Sequence, residues 1–270
     1  MKVGYIQSSP EFGEVTKNTD KVVRVLASKR MHGAKLVVLP ELFSTGYQFK
    51  SKKEALSLSE EADKGYATRT LKEVAKDLDM HIVAGYVERS GKGKAAKVYN
   101  SASLIGPKGI LGTYRKAHLF WNETNIFSPG NTPYKVFDIG GAKVGMMICF
   151  DWLFPEVTRT LALKGAEIIA HPSNLVLPHC PDAMITRCLE NRVFAITANR
   201  VGSEKRASGK SLNFIGKSQV VSPKGRVLKR AGEKSTRAAL VDIDVRAAQS
   251  KLITPMNHIF KDRRKELYKL

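Results

Sequence analysis

Short apolar runs alternate along this chain with segments in which apolar residues recur at every third or fourth position. The runs "KVGYIQ" (2–7), "KLVVLPE" (35–41), "KVGMMIC" (143–149) and "EIIAHPS" (167–173) have the composition of buried strands. A helical pattern follows the first run, and another follows the third. This alternation predicts an α/β protein in which helices connect neighbouring strands.

Two of the predicted helices have clear ends. The first is expected over residues 20–32 and the second, after Pro155, over residues 156–164. A Gly-Ala pair follows each of them, and Gly33 and Gly165 suit the left-handed conformation found beyond a helix end. The predicted apolar positions are Val22, Val23, Leu26 and Met31 in the first helix, and Val157, Leu161 and Leu163 in the second.

The same order of elements occurs twice. A helix that runs into a strand is predicted at residues 70–89 and again at 184–202. Each is followed by two strands around a Pro-Lys-Gly turn, at 103–116 and 219–230. The repeated order indicates an internal duplication rather than chance similarity. Two such halves predict two mixed sheets that pack face to face with helices outside, a four-layer αββα sandwich with pseudo-symmetric halves.

No linker separates the two halves, so residues 1–245 are predicted to form a single domain. The pattern stops near Asp244, and residues 246–270 are interpreted as a C-terminal tail. The chain has 270 residues, which is within the size range of one large α/β domain. No apolar stretch approaches the roughly 20 residues that span a bilayer, and no signal-peptide pattern is present at the start.

The charge is strongly positive, because 45 Lys and Arg residues against 25 Asp and Glu give +20. Such a field could attract nucleic acid, but no nucleic-acid-binding motif accompanies it, so a basic nucleic-acid-binding protein is only an alternative here. The three cysteines form no CxxC pair, which favours a reducing cytoplasm over a disulfide framework. Without GxGxxG, HxxxH or clustered Asp patterns, the sequence predicts no metal and no cofactor.

Three residues at predicted strand ends could carry chemistry. Cys149 closes an apolar run, and a neutral thiol there needs a base or a positive field to become a nucleophile. The helix start predicted at Pro155 would favour a thiolate. Glu41 follows an apolar strand and a Pro, where burial would suit a general base. Lys116 could hold such a carboxylate ionised and stabilise negative charge on a substrate.

Each of these residues also has a plainer interpretation. Cys149 could fill space in the core, and Glu41 and Lys116 could be surface charges, while Glu123 is ambiguous by itself. Cys180 and Cys188 are interpreted as packing residues. A Cys-His pair with His118, His171 or His179 has no support in the spacing.

Together these residues resemble the nitrilase superfamily of carbon–nitrogen hydrolases, over most of the chain from residue 2 to about 265. The resemblance implies the αββα fold and a Glu-Lys-Cys triad. It rests on "LVVLPELFSTGY" (36–47), "GTYRKAHLFWNETNIFSPG" (112–130), "VGMMICFDWLFPE" (144–156), "CLENRVFAITANRVG" (188–202) and "FIGKSQVVSPKG" (214–225).

The resemblance assigns a role to each catalytic residue. Glu41 would be the general base and Cys149 the nucleophile. Lys116 would stabilise the tetrahedral intermediate together with the backbone N–H of Phe150. Glu123 would be the second glutamate, which positions the substrate and assists proton transfer. Tyr47, Trp121, Trp152 and Asn174 follow strand ends near these residues and are candidates for the wall of a small substrate pocket.

The implied activity is hydrolysis of a small aliphatic amide or nitrile through a Cys thioester, giving a carboxylic acid and ammonia. The alternatives are an ω-amidase, a carbamoyl-amine hydrolase of the N-carbamoylputrescine or ureidopropionate type, and a thiol sensor without hydrolytic activity. The resemblance also implies a homodimer, αββα-αββα, or a larger assembly of such dimers. Its contacts would lie in "FPEVTRTLALKG" (154–165) and the tail "NHIFKDRRKELYKL" (257–270).

Overall fold

The structure, a computed structural model, describes residues 1–206 and 209–268. The helices are α1 Val15–Leu26, α2 Lys52–Ser57, α3 Tyr66–Asp77, α4 Glu123–Ile126, α5 Pro155–Leu163 and α6 Cys180–Asn191. The strands are β1 Lys2–Gln7, β2 Leu36–Val38, β3 His81–Ser90, β4 Lys97–Gly106, β5 Gly109–Arg115, β6 Val136–Asp138, β7 Lys143–Met146, β8 Ile168–Pro172, β9 Phe194–Ala198, β10 Val201–Lys205, β11 Ser211–Ile215, β12 Gln219–Val221, β13 Val227–Arg230, β14 Arg237–Asp242, β15 Leu252–Thr254 and β16 Asn257–His258.

Two six-stranded sheets confirm the predicted duplication. Their orders are β14-β1-β2-β3-β4-β5 and β6-β7-β8-β9-β12-β13. In both sheets, three neighbouring strands are parallel, one antiparallel strand flanks them on one side and two flank them on the other. The two sheets therefore have the same arrangement of strands, although β14 of the first sheet comes from the C-terminal part of the chain.

Apolar side chains from both sheets form the layer between them. Val3 and Val38 of the first sheet belong to one buried cluster with Val144 and Ile168 of the second. The outer faces are covered by helices, since Leu71 of α3 packs with the first sheet and the apolar residues of α5 and α6 pack with the second. Each such buried aliphatic side chain contributes roughly 1.5–3 kcal/mol. The four-layer αββα sandwich is confirmed.

The first helix differs from its prediction. It begins at Val15 and ends at Leu26, and Met31 belongs to a separate 3₁₀ turn that follows. The helix ends early because Ser28 has an extended backbone, with ψ near 155°. Val22, Leu26 and Met31 are nevertheless buried, as their spacing predicted. Helix α5 ends within one residue of its predicted end.

The tail after residue 245 forms a 3₁₀ turn and the short β15–β16 hairpin. Phe260 is half-buried, with the guanidinium of Arg159 5.2 Å and the ammonium of Lys251 5.5 Å from its ring centre. Leu267 is 66% exposed, and the last two residues of the predicted tail lie outside the described residues. No helix in the described ranges is long and apolar enough to cross a membrane.

Candidate active site

The turn after β2 buries Glu41 completely. Leu39 N–H donates to the carbonyl of Val83 at 2.8 Å, and Phe43 N–H donates to that of Gly85 at 3.0 Å, so the turn lies flat against β3. A Cβ at Gly85 would stand 2.6 Å from the Cα of Glu41. The chain can approach β3 this closely only because residue 85 is glycine.

Lys116 follows β5 and points at two carboxylates. Its ammonium lies 2.7 Å from Oε1 of Glu41, and 2.9 and 2.8 Å from Oε1 and Oε2 of Glu123. All three side chains are buried. The backbone of Lys116 is fixed as well, because its N–H donates to Asn100 and its carbonyl accepts from Gly130. One ammonium is thus shared by two buried acids.

Asn100 completes this arrangement and was missed in the sequence. Its Nδ2 donates to Oε1 of Glu41 at 2.6 Å and to Oε1 of Glu123 at 3.1 Å. The only available signal was an amide within the otherwise apolar or small-residue strand "KVYNSASLIG". Phe120 N–H donates to Oε2 of Glu123 at 2.7 Å. Oε2 of Glu41, in contrast, has no hydrogen-bond partner among the described residues.

The electrostatics of the three charged groups are coupled. Burial, opposed by Lys116, raises the pKa of Glu123 to about 7. Burial alone would lower the pKa of Lys116, but the charges of Glu123 and Glu41 outweigh it and raise that pKa above its usual value. The ammonium therefore stays protonated, while Glu123 can gain a proton near neutral pH.

Cys149 sits at a strained turn. Its φ is +42°, in the left-handed region that non-glycine residues avoid, and it opens the 3₁₀ turn Cys149–Leu153. Hydrogen bonds on both sides hold the backbone there. Ile148 N–H donates to Oδ2 of Asp151 at 2.9 Å, and Nε2 of His171 lies 3.0 Å from the carbonyl oxygen of Cys149. The strained backbone at Cys149 therefore lowers the stability of the fold, and it fixes the position of this thiol.

The thiol itself is protonated at neutral pH. Burial and the charge of Glu41 raise the pKa of Cys149 well above its ordinary value, although Lys116 opposes them. The expectation that the start of α5 favours a thiolate is therefore wrong. That helix begins at Pro155, six positions beyond the sulfur, and burial, together with the acids beside the thiol, dominates.

A third buried carboxylate, also missed in the sequence, links the segment of Cys149 to the segment of Lys116. Oδ2 of Asp151 accepts from Tyr114 Oη–H at 2.8 Å, and Oδ1 lies 2.7 Å from Nδ1 of His118. Tyr114 and His118 flank Lys116 in the chain, and Asp151 accepts from Ile148 beside the nucleophile. Asp151 is fully buried. It therefore links the two backbone segments that carry the ammonium and the thiol.

The histidines take structural positions. His171 is fully buried, and burial lowers its pKa to about 4, so it stays neutral. It contacts the backbone oxygen of Cys149, the hydroxyl of Ser173 and the hydroxyl of Thr197. His118 faces Asp151, as described above. No group of three or more His, Cys, Asp or Glu side chains in the described ranges is arranged to hold a metal ion.

The four expected wall residues divide between two cavities of about 20 Å³ each. Trp152 and Asn174 lie with Cys149 and Phe150 in one of them. Asn174 also donates from Nδ2 to the carbonyl of Glu41 at 2.9 Å. Tyr47 and Trp121 lie with Glu123 in the other cavity. Tyr47 is buried, whereas Trp121 is 49% exposed and stands at the surface.

Comparison with known proteins fits this geometry. The carbon-nitrogen hydrolase family profile matches residues 2–251. A nitrilase of Pyrococcus abyssi is 47% identical over 99% of both chains. The crystal structure of an amidase from Nesterenkonia sp. superposes with a TM-score of 0.78 at 26% identity, over 99% of this chain and 94% of that one. In a variant of the Nesterenkonia amidase, 25% identical, with a TM-score of 0.78 over 99% of this chain and 95% of that one, the acetamide moiety of fluoroacetamide is covalently added at the active-site cysteine. This chain belongs to the carbon-nitrogen hydrolase family, enzymes that hydrolyse carbon–nitrogen bonds.

Proposed function

We propose that this protein hydrolyses a small, uncharged aliphatic amide or nitrile to a carboxylic acid and ammonia, through a thioester on Cys149. One observation carries the proposal. The ammonium of Lys116 is hydrogen-bonded to both Glu41 and Glu123 in a buried site, and their charges act on the Cys149 thiol. Oε2 of Glu41 is left as an acceptor without a partner among the described residues.

The first step requires a base, because the resting thiol is protonated. Oε2 of Glu41 takes the proton while Sγ of Cys149 bonds to the carbonyl carbon of the amide. The carbonyl electrons move to oxygen, which becomes an oxyanion. The ammonium of Lys116 and the backbone N–H of Phe150 stabilise this charge, and the buried site strengthens both interactions.

Collapse of the intermediate breaks the carbon–nitrogen bond. Glu41 returns its proton to the departing nitrogen, so ammonia leaves and the thioester remains. Glu41 then takes a proton from water as the water oxygen attacks the thioester carbon. The second tetrahedral intermediate expels the sulfur, which recovers its proton from Glu41, and the acid is released. Glu123 holds Lys116 and the substrate in place throughout.

A nitrile enters the same cycle one stage earlier. Sγ adds to the nitrile carbon, and the nitrogen takes up a proton, which gives a thioimidate. Water then adds to the thioimidate carbon, and ammonia leaves from the tetrahedral product. The result is the same thioester, so the triad serves both substrates equally.

The wall of the Cys149 cavity favours uncharged substrates. Its described lining contains no charged side chain. A dicarboxylic monoamide or a carbamoyl amine carries a charge that would need a partner in this wall. The lining consists of Phe120, Cys149, Phe150, Trp152, Asn174, Leu175, Val176 and Leu177.

Ammonia release from a matched panel tests the proposal. We expect propionamide or propionitrile to be hydrolysed with a kcat/KM at least about tenfold above that of succinamate or N-carbamoylputrescine, since an unpaired buried charge costs more than 1.4 kcal/mol. Cys149→Ala should abolish turnover while the circular dichroism spectrum is unchanged. Hydrolysis of only the charged substrates would refute the substrate class, and no hydrolysis of any substrate would refute the activity.

The two non-hydrolytic alternatives are weaker. A thiol sensor needs an accessible thiolate, whereas burial raises the pKa of Cys149 and its side chain lies inside the protein. A nucleic-acid-binding protein would keep its affinity at physiological salt in Cys149→Ala. Loss of all DNA and RNA binding at that salt, together with hydrolysis by the wild type, would exclude it.

We also propose that the protein is a cytoplasmic homodimer. Leu163 of α5 and Leu189 of α6 are 44% and 47% exposed, and Leu267 in the tail is 66% exposed. Such apolar exposure on adjacent elements is typical of an interface. Light scattering should give the dimer mass for the wild type and a smaller mass for Leu163→Glu. The three buried free cysteines fit a reducing compartment.

A further inference from the structure

A cavity of about 820 Å³ lies away from the catalytic residues, between α1, the end of β1 and the start of β14. It is far larger than the two cavities of about 20 Å³ beside the catalytic residues. None of Glu41, Lys116, Glu123 and Cys149 lines it. Its volume falls within the range of about 300–1,000 Å³ that is usual for small-molecule sites. The proposed reaction gives it no role.

The lining of this cavity is positively charged. It contains five cationic side chains and, among the described residues, no carboxylate. Lys21 is paired with Glu11 at 2.7 Å. The other four have no ion-pair partner in the described part of the chain: Arg24, Lys29, Arg30 and Arg237. Four unpaired cations around one cavity attract an anion.

The inner wall of the same cavity is apolar. Val25 of α1 lines it and is half-buried, and Ile6, Val22 and Phe43, which are at most 3% exposed, form the packed apolar layer behind it. Oγ of Ser8, also in the lining, is buried and has no hydrogen-bond partner among the described residues. A ligand oxygen there would satisfy it. The cavity thus presents cations at its rim, apolar carbon inside and one unmet hydroxyl.

The cavity also touches the turn that carries the proposed base. Phe43 stands two residues after Glu41 and donates from its N–H to Gly85. Asn18, another lining residue, donates from Nδ2 to the carbonyl of Ser44 at 2.8 Å. A ligand in the cavity would therefore contact residues that fix the position of Glu41.

We propose that this cavity binds a small amphipathic organic anion. Its carboxylate or phosphate head lies among Arg24, Lys29, Arg30 and Arg237, and its aliphatic body lies along Val25, with Val22 and Phe43 behind it. The site is separate from the proposed hydrolytic centre and does not depend on the identity of its substrate.

Calorimetric titration of the full-length protein with octanoate tests this site. Saturable binding is expected, with acetate and inorganic phosphate binding at least about tenfold more weakly because they lack the aliphatic body. In the double variant Arg24→Gln/Arg237→Gln, the affinity for octanoate should fall at least about tenfold, since two charged contacts are lost. Both arginines are exposed, so the fold should tolerate the changes.

The matched control removes two exposed cations from outside the cavity, on α3. Arg69→Gln/Lys76→Gln should bind octanoate as tightly as the wild type. An equal loss in both double variants would show general attraction to a chain of charge +20 and would overturn the proposal. So would the absence of saturable binding, undiminished binding in Arg24→Gln/Arg237→Gln, or equal affinity for octanoate and phosphate.

Discussion

At the scale of single residues, the site depends on a neutral thiol and on a carboxylate oxygen of Glu41 that has no hydrogen-bond partner in the described part of the chain. The sequence placed Glu41, Lys116 and Cys149 at predicted strand ends, where side chains of neighbouring strands meet, and the family resemblance singled them out as a triad. It could not predict the high pKa of Cys149, which comes from burial and from acids distant in the chain. Asn100 could not be predicted for the same reason, because its role arises only where β4 passes both glutamates.

Glu41→Gln tests the base directly. Glutamine keeps an oxygen that can accept from Lys116 and Asn100, and its amide faces a position without a hydrogen-bond partner among the described residues. The fold should therefore persist, while kcat/KM falls by about 10²–10⁴ because the thiol proton has no acceptor. Ammonia release and thermal unfolding measure the two effects. A variant that retains activity within about tenfold of the wild type would exclude Glu41 as the general base.

At the scale of elements, the catalytic groups are held by turns rather than by the strands themselves. Asp151 joins the turn at Cys149 to the segment around Lys116. The sequence predicted both segments, because apolar runs mark the strands before them. It gave no sign of the bridge, because a single Asp in a turn has many possible partners. The tight contact of Glu41 with β3 was equally invisible, because Gly85 lies 44 positions away in the chain.

Asp151→Asn should weaken the link between the segments of Cys149 and Lys116 without leaving a cavity in the core. The NH₂ group of the asparagine would take the place of one carboxylate oxygen. It would then face either the donors Ile148 N–H and Tyr114 Oη–H, or the backbone N–H of His118. Misplacement of the thiol should lower kcat by about 10–100-fold and change KM much less. Steady-state kinetics check this, with exposed Asp77→Asn as control. A change in KM of this size with an unchanged kcat would show that Asp151 does not position the thiol of Cys149.

Gly85→Ala should displace the turn that carries Glu41. The added Cβ would lie 2.6 Å from Cα of Glu41 and 2.9 Å from the carbonyl oxygen of Pro40. These are backbone atoms, and moving them costs more free energy than moving the end of a flexible side chain. We expect a loss of about 1–3 kcal/mol in the free energy of unfolding, together with lost activity. Gly232→Ala is the control, because its Cβ would meet no described atom within 4 Å. Equal stability of the two variants in denaturant unfolding would contradict the close contact.

At the scale of the whole molecule, the duplication made the sandwich predictable. Repeated local patterns predicted the order of strands and helices in each half. Two similar halves that pack sheet against sheet then predicted the four layers. Strand β14 was not predicted, because its register with β1 joins Lys2 to Asp242 and no local pattern encodes it. The start of α1 was misplaced because the apolar face extends only through its later turns. The large basic cavity is formed by four separate segments and has no signature in any of them.

The stability of the molecule should also depend on the protonation of Glu123. Its pKa is about 7 in the folded protein against 4.5 for an ordinary Glu, mainly because of burial. The folded state therefore holds this proton more tightly, and stability from it is present below pH 4.5 and is lost as pH rises through about 7. Glu123→Gln cannot titrate at this position and therefore lacks this contribution.

The free energy of unfolding of the wild type, minus that of Glu123→Gln, should then fall between pH 4.5 and 7. The total fall is at most about 3 kcal/mol, and the difference should level off above that range. Urea unfolding of both proteins at a series of pH values measures it, and subtraction removes the titration of the groups that do not interact with residue 123. A difference that stays constant would mean that the folded protein does not hold the proton on Glu123. A difference that rises with pH would mean that Lys116, rather than burial, dominates the pKa of this carboxyl group.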